Sequence, residues 1–198
     1  CDIRICRKRK RGAMMLKWIL QFDHQWLEES VERGETVIDA TCGNGNDTLF
    51  LSETVGDDGH VFAFDIQEQA HQETKALLTK HGKSNVSLIH DSHEHVEKYV
   101  HNEIGGAIFN LGYLPRSDKR IITKPDTTIA AIDAILNRLK KNKLVVIVVY
   151  HGHEGGKEEK EAVLNYCMAL DQKKFSVLQY RFINQVNHPP FLLAIQKK

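Results

Sequence analysis

Between Glu35 and Tyr150, five short runs of mostly apolar, β-branched residues alternate with longer segments whose apolar residues recur at helical spacing. No other feature limits the possible folds as tightly. The runs are Thr36 to Ala40, His60 to Ile66, Asn85 to His90, Gly105 to Leu111 and Leu144 to Tyr150. They are brief and apolar at consecutive positions, as strands buried on both faces are. Helices are predicted over Gln67 to His81, Ser92 to His101 and Pro125 to Lys140, with Pro125 suited to a first helical turn. Such alternation predicts an α/β fold with a parallel sheet and helices on both faces. The end of the chain departs from it. Phe175 to Ile183 and Phe191 to Gln196 read as strands with no helix between them, so they pair as a hairpin. The expected architecture is a seven-stranded, mostly parallel sheet with one antiparallel strand in a C-terminal hairpin.

A chain of 198 residues suits one domain. Residues 1–14 carry a basic cluster without strand or helix periodicity and read as a tag or frayed arm, leaving 15–198 as the domain. With 27 basic and 26 acidic residues, net charge neither demands nor excludes a nucleic-acid partner. Cys1, Cys6, Cys42 and Cys167 form no CxxC pair, which fits a reducing, cytoplasmic setting. No apolar run reaches the about 18 residues of a membrane span. The eleven histidines show no HExxH spacing, so no metal site is expected.

Val37 to Asp47 (VIDATCGNGND) reads as a strand, a glycine turn and the start of a helix. In a dinucleotide fingerprint the third glycine would fall at Thr48, yet Asn46 and Asp47 stand where a pyrophosphate would lie, and Asp47 would repel it. Carboxylates at Asp39 and Asp47 suit a cationic ligand instead. S-adenosyl-L-methionine carries an ammonium and a sulfonium and no phosphate. Asp65, about twenty residues beyond the loop, ends the second strand where a carboxylate accepts two ribose hydroxyls, with Ile66 and Gln67 beside it. Asp91, Ser92 and His93 end the third strand, where they would line an adenine; an N-cap role for Asp91 is the plainer alternative.

"DATCGNG", "AFDIQ", "HDSHE" and "NLGYLP" resemble, in order and spacing, the Rossmann-like class I S-adenosylmethionine-dependent methyltransferases. More narrowly, Leu16 to Lys198 resembles the bacterial family long labelled rRNA methylases, whose members are associated with methylation of tRNA 5-aminomethyl-2-thiouridine at the wobble base. "FNLGYLP", "TKPDTT", "YHGHEGGKEEKEAV" and "NHPPF" carry that narrower likeness. The resemblance implies that Thr41, Gly43, Asn44, Gly45, Asn46 and Asp47 join Asp39, Asp65 and Asp91 around the cofactor. Thr41 departs from the class, which mostly has a glycine there.

"Asn-Leu-Gly-Tyr" resembles the Asn-Pro-Pro-Tyr motif of amino-group methyltransferases and implies that Asn110 contacts both cofactor and acceptor, with Tyr113 walling in the base. An amine attacks through its lone pair, so an enzyme holds it by its hydrogens, and an amide oxygen accepts one. An aliphatic amine must also lose a proton, for which Tyr150, His151 and His153 are candidates. Leu114 adjoins this site. Arg116, Lys119, Arg120 and Lys124 form a basic loop suited to tracking phosphates, and Asn187 and His188 in the last hairpin offer polar contacts to a splayed base. The expected partners are tRNA, at its unpaired anticodon loop, and a second copy in a homodimer. An rRNA base or a small-molecule amine remains the alternative acceptor.

Overall fold

The computed structural model describes residues 18–112, 122–152, 155–187 and 189–198. Seven strands, β1 (Thr36–Asp39), β2 (His60–Asp65), β3 (Val86–His90), β4 (Ile104–Leu111), β5 (Leu139–Val149), β6 (Phe175–Tyr180) and β7 (Phe191–Lys197), form one sheet in the order β3-β2-β1-β4-β5-β7-β6. The pairings from β3 to β5 are parallel, and β7 runs antiparallel to both β5 and β6. This is the predicted architecture.

Strand alternation divides the core. Val37, Val61, Ile108 and Val146 point to one face, where α1 (Ile19–Ser30) and α2 (Asn46–Val55) cover them with Leu27, Val31, Leu51 and Val55. Ile38, Phe64, Phe109 and Ile147 point to the other, against Val96 of α4 (Val96–Tyr99), Ile132 and Ile135 of α5 (Pro125–Arg138) and Val163 of α6 (Gly156–Ala169). α3 (Glu68–Lys80) sets Ala70 on Ala63 and Cys42. Consecutive apolar residues are therefore required in β1 and β4, which lie between two helical layers.

Four local readings need correction. α1 was not anticipated, because its buried stripe of Ile19, Asp23 and Leu27 has a carboxylate at its middle position and loses the apolar period. The predicted Ser92 to His101 helix is a 3₁₀ turn at His93–His95 followed by one α-helical turn, α4. β5 begins five residues before its apolar run: Lys140 and Lys143 extend it by pairing with the buried Glu35 at 2.9 and 3.0 Å, and Asn142 takes φ 66° in the bulge. β6 stops at Tyr180 rather than Ile183. Residues 1–14 lie outside the described residues, as do Cys1 and Cys6. No helix among the described residues is long and apolar enough to cross a membrane.

Candidate active site

β1 and β4 are neighbours whose following helices, α2 and α5, leave to opposite faces, so their C-terminal ends part and open a crevice. A cavity of about 860 Å³ lies there. Its floor is the loop after β1, which backbone bonds hold to both neighbouring strands. The Ala40 N–H donates to the Ile108 carbonyl at 2.9 Å and the Cys42 N–H to the Phe64 carbonyl at 2.8 Å. Thr41 shows why a glycine is dispensable there: its hydroxyl accepts the Asn110 N–H at 2.7 Å. Gly45 has φ 81° and would set a Cβ 2.9 Å from the Thr74 backbone.

The carboxylates predicted at the strand ends have different surroundings. Asp39 is fully buried under the loop, accepting from the Thr48 hydroxyl at 2.6 Å and the Thr41 N–H at 3.2 Å. Burial, then the charge of Asp47, pushes its carboxyl well above the usual range. Neither Asp39 nor Gly45 lines the cavity, and both shape the loop beneath it. Asp65 does line it, and its two oxygens accept from the N–H groups of Gly43 at 3.1 Å and Gln67 at 2.9 Å. Asp91 accepts from His95 at 2.8 Å, Tyr99 at 2.9 Å and the Ser92 N–H at 2.8 Å. The His95 bond, with the others, holds it at about 2. It lines the cavity, and the N-cap of the 3₁₀ turn that follows is Ser92. His93 donates from Nδ1 to the Ala40 carbonyl at 3.0 Å; burial lowers its pKa, and its neutral ring keeps Nε2 as an acceptor.

Thr41, Gly43, Asn44, Asn46, Asp47, Ile66, Gln67, Ser92, Asn110, Lys124 and Tyr150 also line the cavity. Asp47 organises its acceptor end. One oxygen meets His24 Nε2 at 2.6 Å and the other accepts from Asn110 Nδ2 at 2.6 Å. A carboxylate only accepts, so the bond turns the Asn110 amino group towards Asp47 and leaves Oδ1 as the atom presented elsewhere. Burial alone would lower the pKa of His24. The hydrogen bond and charge of Asp47, with the charges of Asp23 and Asp39, outweigh it and raise the pKa above 6.5. The His24 ring stacks on Phe50 at 3.9 Å.

Tyr150 lines the cavity with a phenol that its surroundings make harder to ionise. Burial and the charges of Asp23 and Asp47 raise its phenol above 10, so it stays protonated at neutral pH. His151 does not line the cavity and sits 5.7 Å from the Phe191 ring; Asn187, exposed in the last loop, does not line it either. Tyr113, Leu114, Arg116, Lys119, Arg120, His153 and His188 lie outside the described residues. Leu20, His24, Thr123 and Thr127 line the cavity without having been expected to. A His beside an Asp inside an otherwise amphipathic segment was the available signal for His24. Among the described residues, no group of three or more His, Cys, Asp or Glu could hold a metal ion.

The family profile described as Putative rRNA methylase matches residues 61–196, and that of protein-L-isoaspartate(D-aspartate) O-methyltransferase matches residues 14–97. Over 186 residues the chain is 36% identical to the chloroplastic tRNA (mnm(5)s(2)U34)-methyltransferase of Arabidopsis thaliana, covering 88% of this chain and 68% of that protein. Among solved structures, one described as a putative rRNA methylase from Clostridium thermocellum is 44% identical, with a TM-score of 0.92 over 93% of this chain and 100% of that one. Another, a putative methyltransferase from Streptococcus mutans in complex with SAH, is 45% identical, with a TM-score of 0.87 over the same shares.

A Rossmann-like sheet with its cavity at the switch point, and relatives of this kind, define an S-adenosylmethionine-dependent methyltransferase. The residues present fit that cofactor: the lining is rich in carboxylates, as a sulfonium and an ammonium require, and the exposed apolar Ile66 beside Asp65 offers a face to a purine. The chain belongs to the Putative rRNA methylase family.

Proposed function

We propose that the protein methylates the aminomethyl group of 5-aminomethyl-2-thiouridine at the tRNA wobble position. The observation that carries this reading is the Asn110 amide, turned by Asp47 so that Oδ1 is left to accept a hydrogen from an amine. Support for a tRNA substrate comes from the name of the Arabidopsis thaliana relative. Lys124 lies at the cavity, at the end of the basic segment that begins at Arg116, where it suits a phosphate-bearing strand. An anticodon base is unpaired and enters such a cavity with little unstacking. The outer strand β6 leaves Val177 and Leu178 exposed, and this supports self-association as a homodimer.

When bound, S-adenosylmethionine supplies a methyl group made electrophilic by its sulfonium. Asp65 accepts from the ribose hydroxyls, with Ile66 and Gln67 beside the same sugar, while Asp91, Ser92 and His93 line the base. Gly43, Asn44, Asn46 and Asp47 border the amino-acid end. Asn110 Oδ1 holds one amine hydrogen and aims the lone pair. The proton that the ammonium form must lose goes to Nδ1 of the neutral His24 ring, whose Nε2–H is donated to Asp47, the carboxylate shared with Asn110. Tyr150, which stays protonated, donates a hydrogen bond at the acceptor end.

Single-turnover methylation of hypomodified tRNA, read by nucleoside mass spectrometry, tests the proposal. The parent should convert the aminomethyl nucleoside to its methylaminomethyl form. Asn110→Ala should bind cofactor nearly as the parent does and transfer methyl about 10²- to 10³-fold more slowly, the scale of one positioned polar group. A parental rate in the variant would remove Asn110 from the mechanism. Absence of the methylated nucleoside with the parent would refute the substrate.

A further inference from the structure

The segments "TKPDTT" and "GGKEEKEAV" meet at one buried carboxylate. Glu159, in the first turns of α6, is 1% exposed. One of its oxygens accepts from the Thr123 hydroxyl at 2.6 Å and the other from the Thr128 hydroxyl at 2.8 Å. Thr128 belongs to α5, while Thr123 precedes it. The Thr123 hydroxyl, its proton given to Glu159, turns a lone pair to the Gly112 N–H at 3.0 Å. Thr123 also donates its own N–H to the Gly112 carbonyl at 3.0 Å. Both backbone groups of Gly112 are thereby fixed, two residues beyond Asn110. The hydroxyl has one proton and cannot point it both ways, so the acceptor on Glu159 decides its orientation. Packing adds to the clamp, since a Cβ at Gly155 would lie 2.6 Å from the Ile122 side chain.

We propose that Glu159 is a positioning residue for methyl transfer, acting through Thr123 to hold Gly112 and so to place Asn110 against the acceptor. The proposal rests on the acceptor reading above. Glu159 does not line the cavity. It joins α5 and α6 to the end of β4, which accounts for two stretches of sequence that otherwise carry no chemistry. A displacement of about 1 Å at a reacting centre costs on the order of 10²-fold in rate, so a remote hydrogen bond is enough to matter.

The experiment compares two removals, Glu159→Met and Thr123→Val, with two conservative changes, Glu159→Gln and Thr123→Ser, each of which keeps an oxygen where the network needs it. Amide hydrogen exchange at Gly112, read by NMR, should quicken by about tenfold or more in the removals, the scale of one lost hydrogen bond, and stay within about twofold in the conservative pair. Single-turnover methylation at saturating tRNA should slow by about 10- to 100-fold in the removals and recover in the conservative pair, with cofactor Kd within about twofold in both Glu159 variants, since Glu159 lies outside the cavity lining. Parental exchange at Gly112 in both removals overturns the clamp, whatever the substrate proves to be. Faster exchange with a parental transfer rate overturns its part in the reaction, and so does loss of cofactor affinity in step with rate. If the parent itself fails to methylate hypomodified tRNA, the proposed function falls while exchange at Gly112 still decides the clamp.

Discussion

Asp23→Asn should shift stability in favour of the variant as pH rises. Asp23 is fully buried on α1; Oδ1 accepts from the His24 N–H at 2.6 Å, while Oδ2 meets no hydrogen-bond donor. Burial, reinforced by the charge of Asp47, raises its carboxyl from 3.8 to about 6. A raised carboxyl binds its proton more tightly in the folded chain than in the unfolded one. Its contribution is therefore most favourable below the unfolded pKa and is lost as pH climbs through the folded one. The rise from 3.8 to about 6 amounts to about 3 kcal/mol lost by neutral pH. Asparagine keeps the acceptor for His24 and does not titrate. Its amino group, unpaired where Oδ2 was, costs about 1–3 kcal/mol at every pH, so the informative quantity is how the stability difference changes with pH. Urea denaturation of parent and variant from pH 4 to pH 8 should show the difference growing by roughly 2–2.5 kcal/mol in favour of asparagine, the rest having been lost below pH 4. Parallel profiles would mean that Asp23 carries no such penalty and that its burial does not govern its charge. The same negative field raises Tyr150 and His24, so this cost in stability accompanies the electrostatics of the acceptor end.

Asp65→Ala should raise the Kd for S-adenosylmethionine by about 10²-fold in calorimetry, the loss expected when a charged acceptor for hydroxyls disappears, and an unchanged Kd would remove Asp65 from the cofactor site. Gly45→Ala should lower unfolding free energy by roughly 2–3 kcal/mol, because φ 81° strains the new residue and its Cβ meets the Thr74 backbone at 2.9 Å. Gly82→Ala, with φ 64° and open space around it, should cost only about 1 kcal/mol. Equal costs in chemical denaturation would show that the contact with Thr74 is unimportant.

The sheet could be read from the chain because its cues are local. Apolar runs, glycine turns and a hairpin without a helix each lie within a dozen or so neighbouring residues, and the carboxylates ending β2 and β3 were visible as strand ends. For the same reason Asp65, Asp91 and Asn110 could be nominated before any packing was known. Local cues failed where burial contradicted polarity. Asp23 hid α1, and the charged residues before Leu144 hid the first half of β5, since their partner Glu35 lies about a hundred residues away. What only the tertiary structure decided is which polar groups share protons. His24 reaches Asp47 across 23 residues, Asp47 reaches Asn110 across 63, Thr41 reaches Asn110 across 69 and Glu159 reaches Thr123 across 36. Each pair spans elements that the strand order places side by side. Bond directions at 2.6 to 2.7 Å depend on that placement, which no local periodicity encodes, so the sequence motifs picked out Asn110 and Asp47 but not the bond between them.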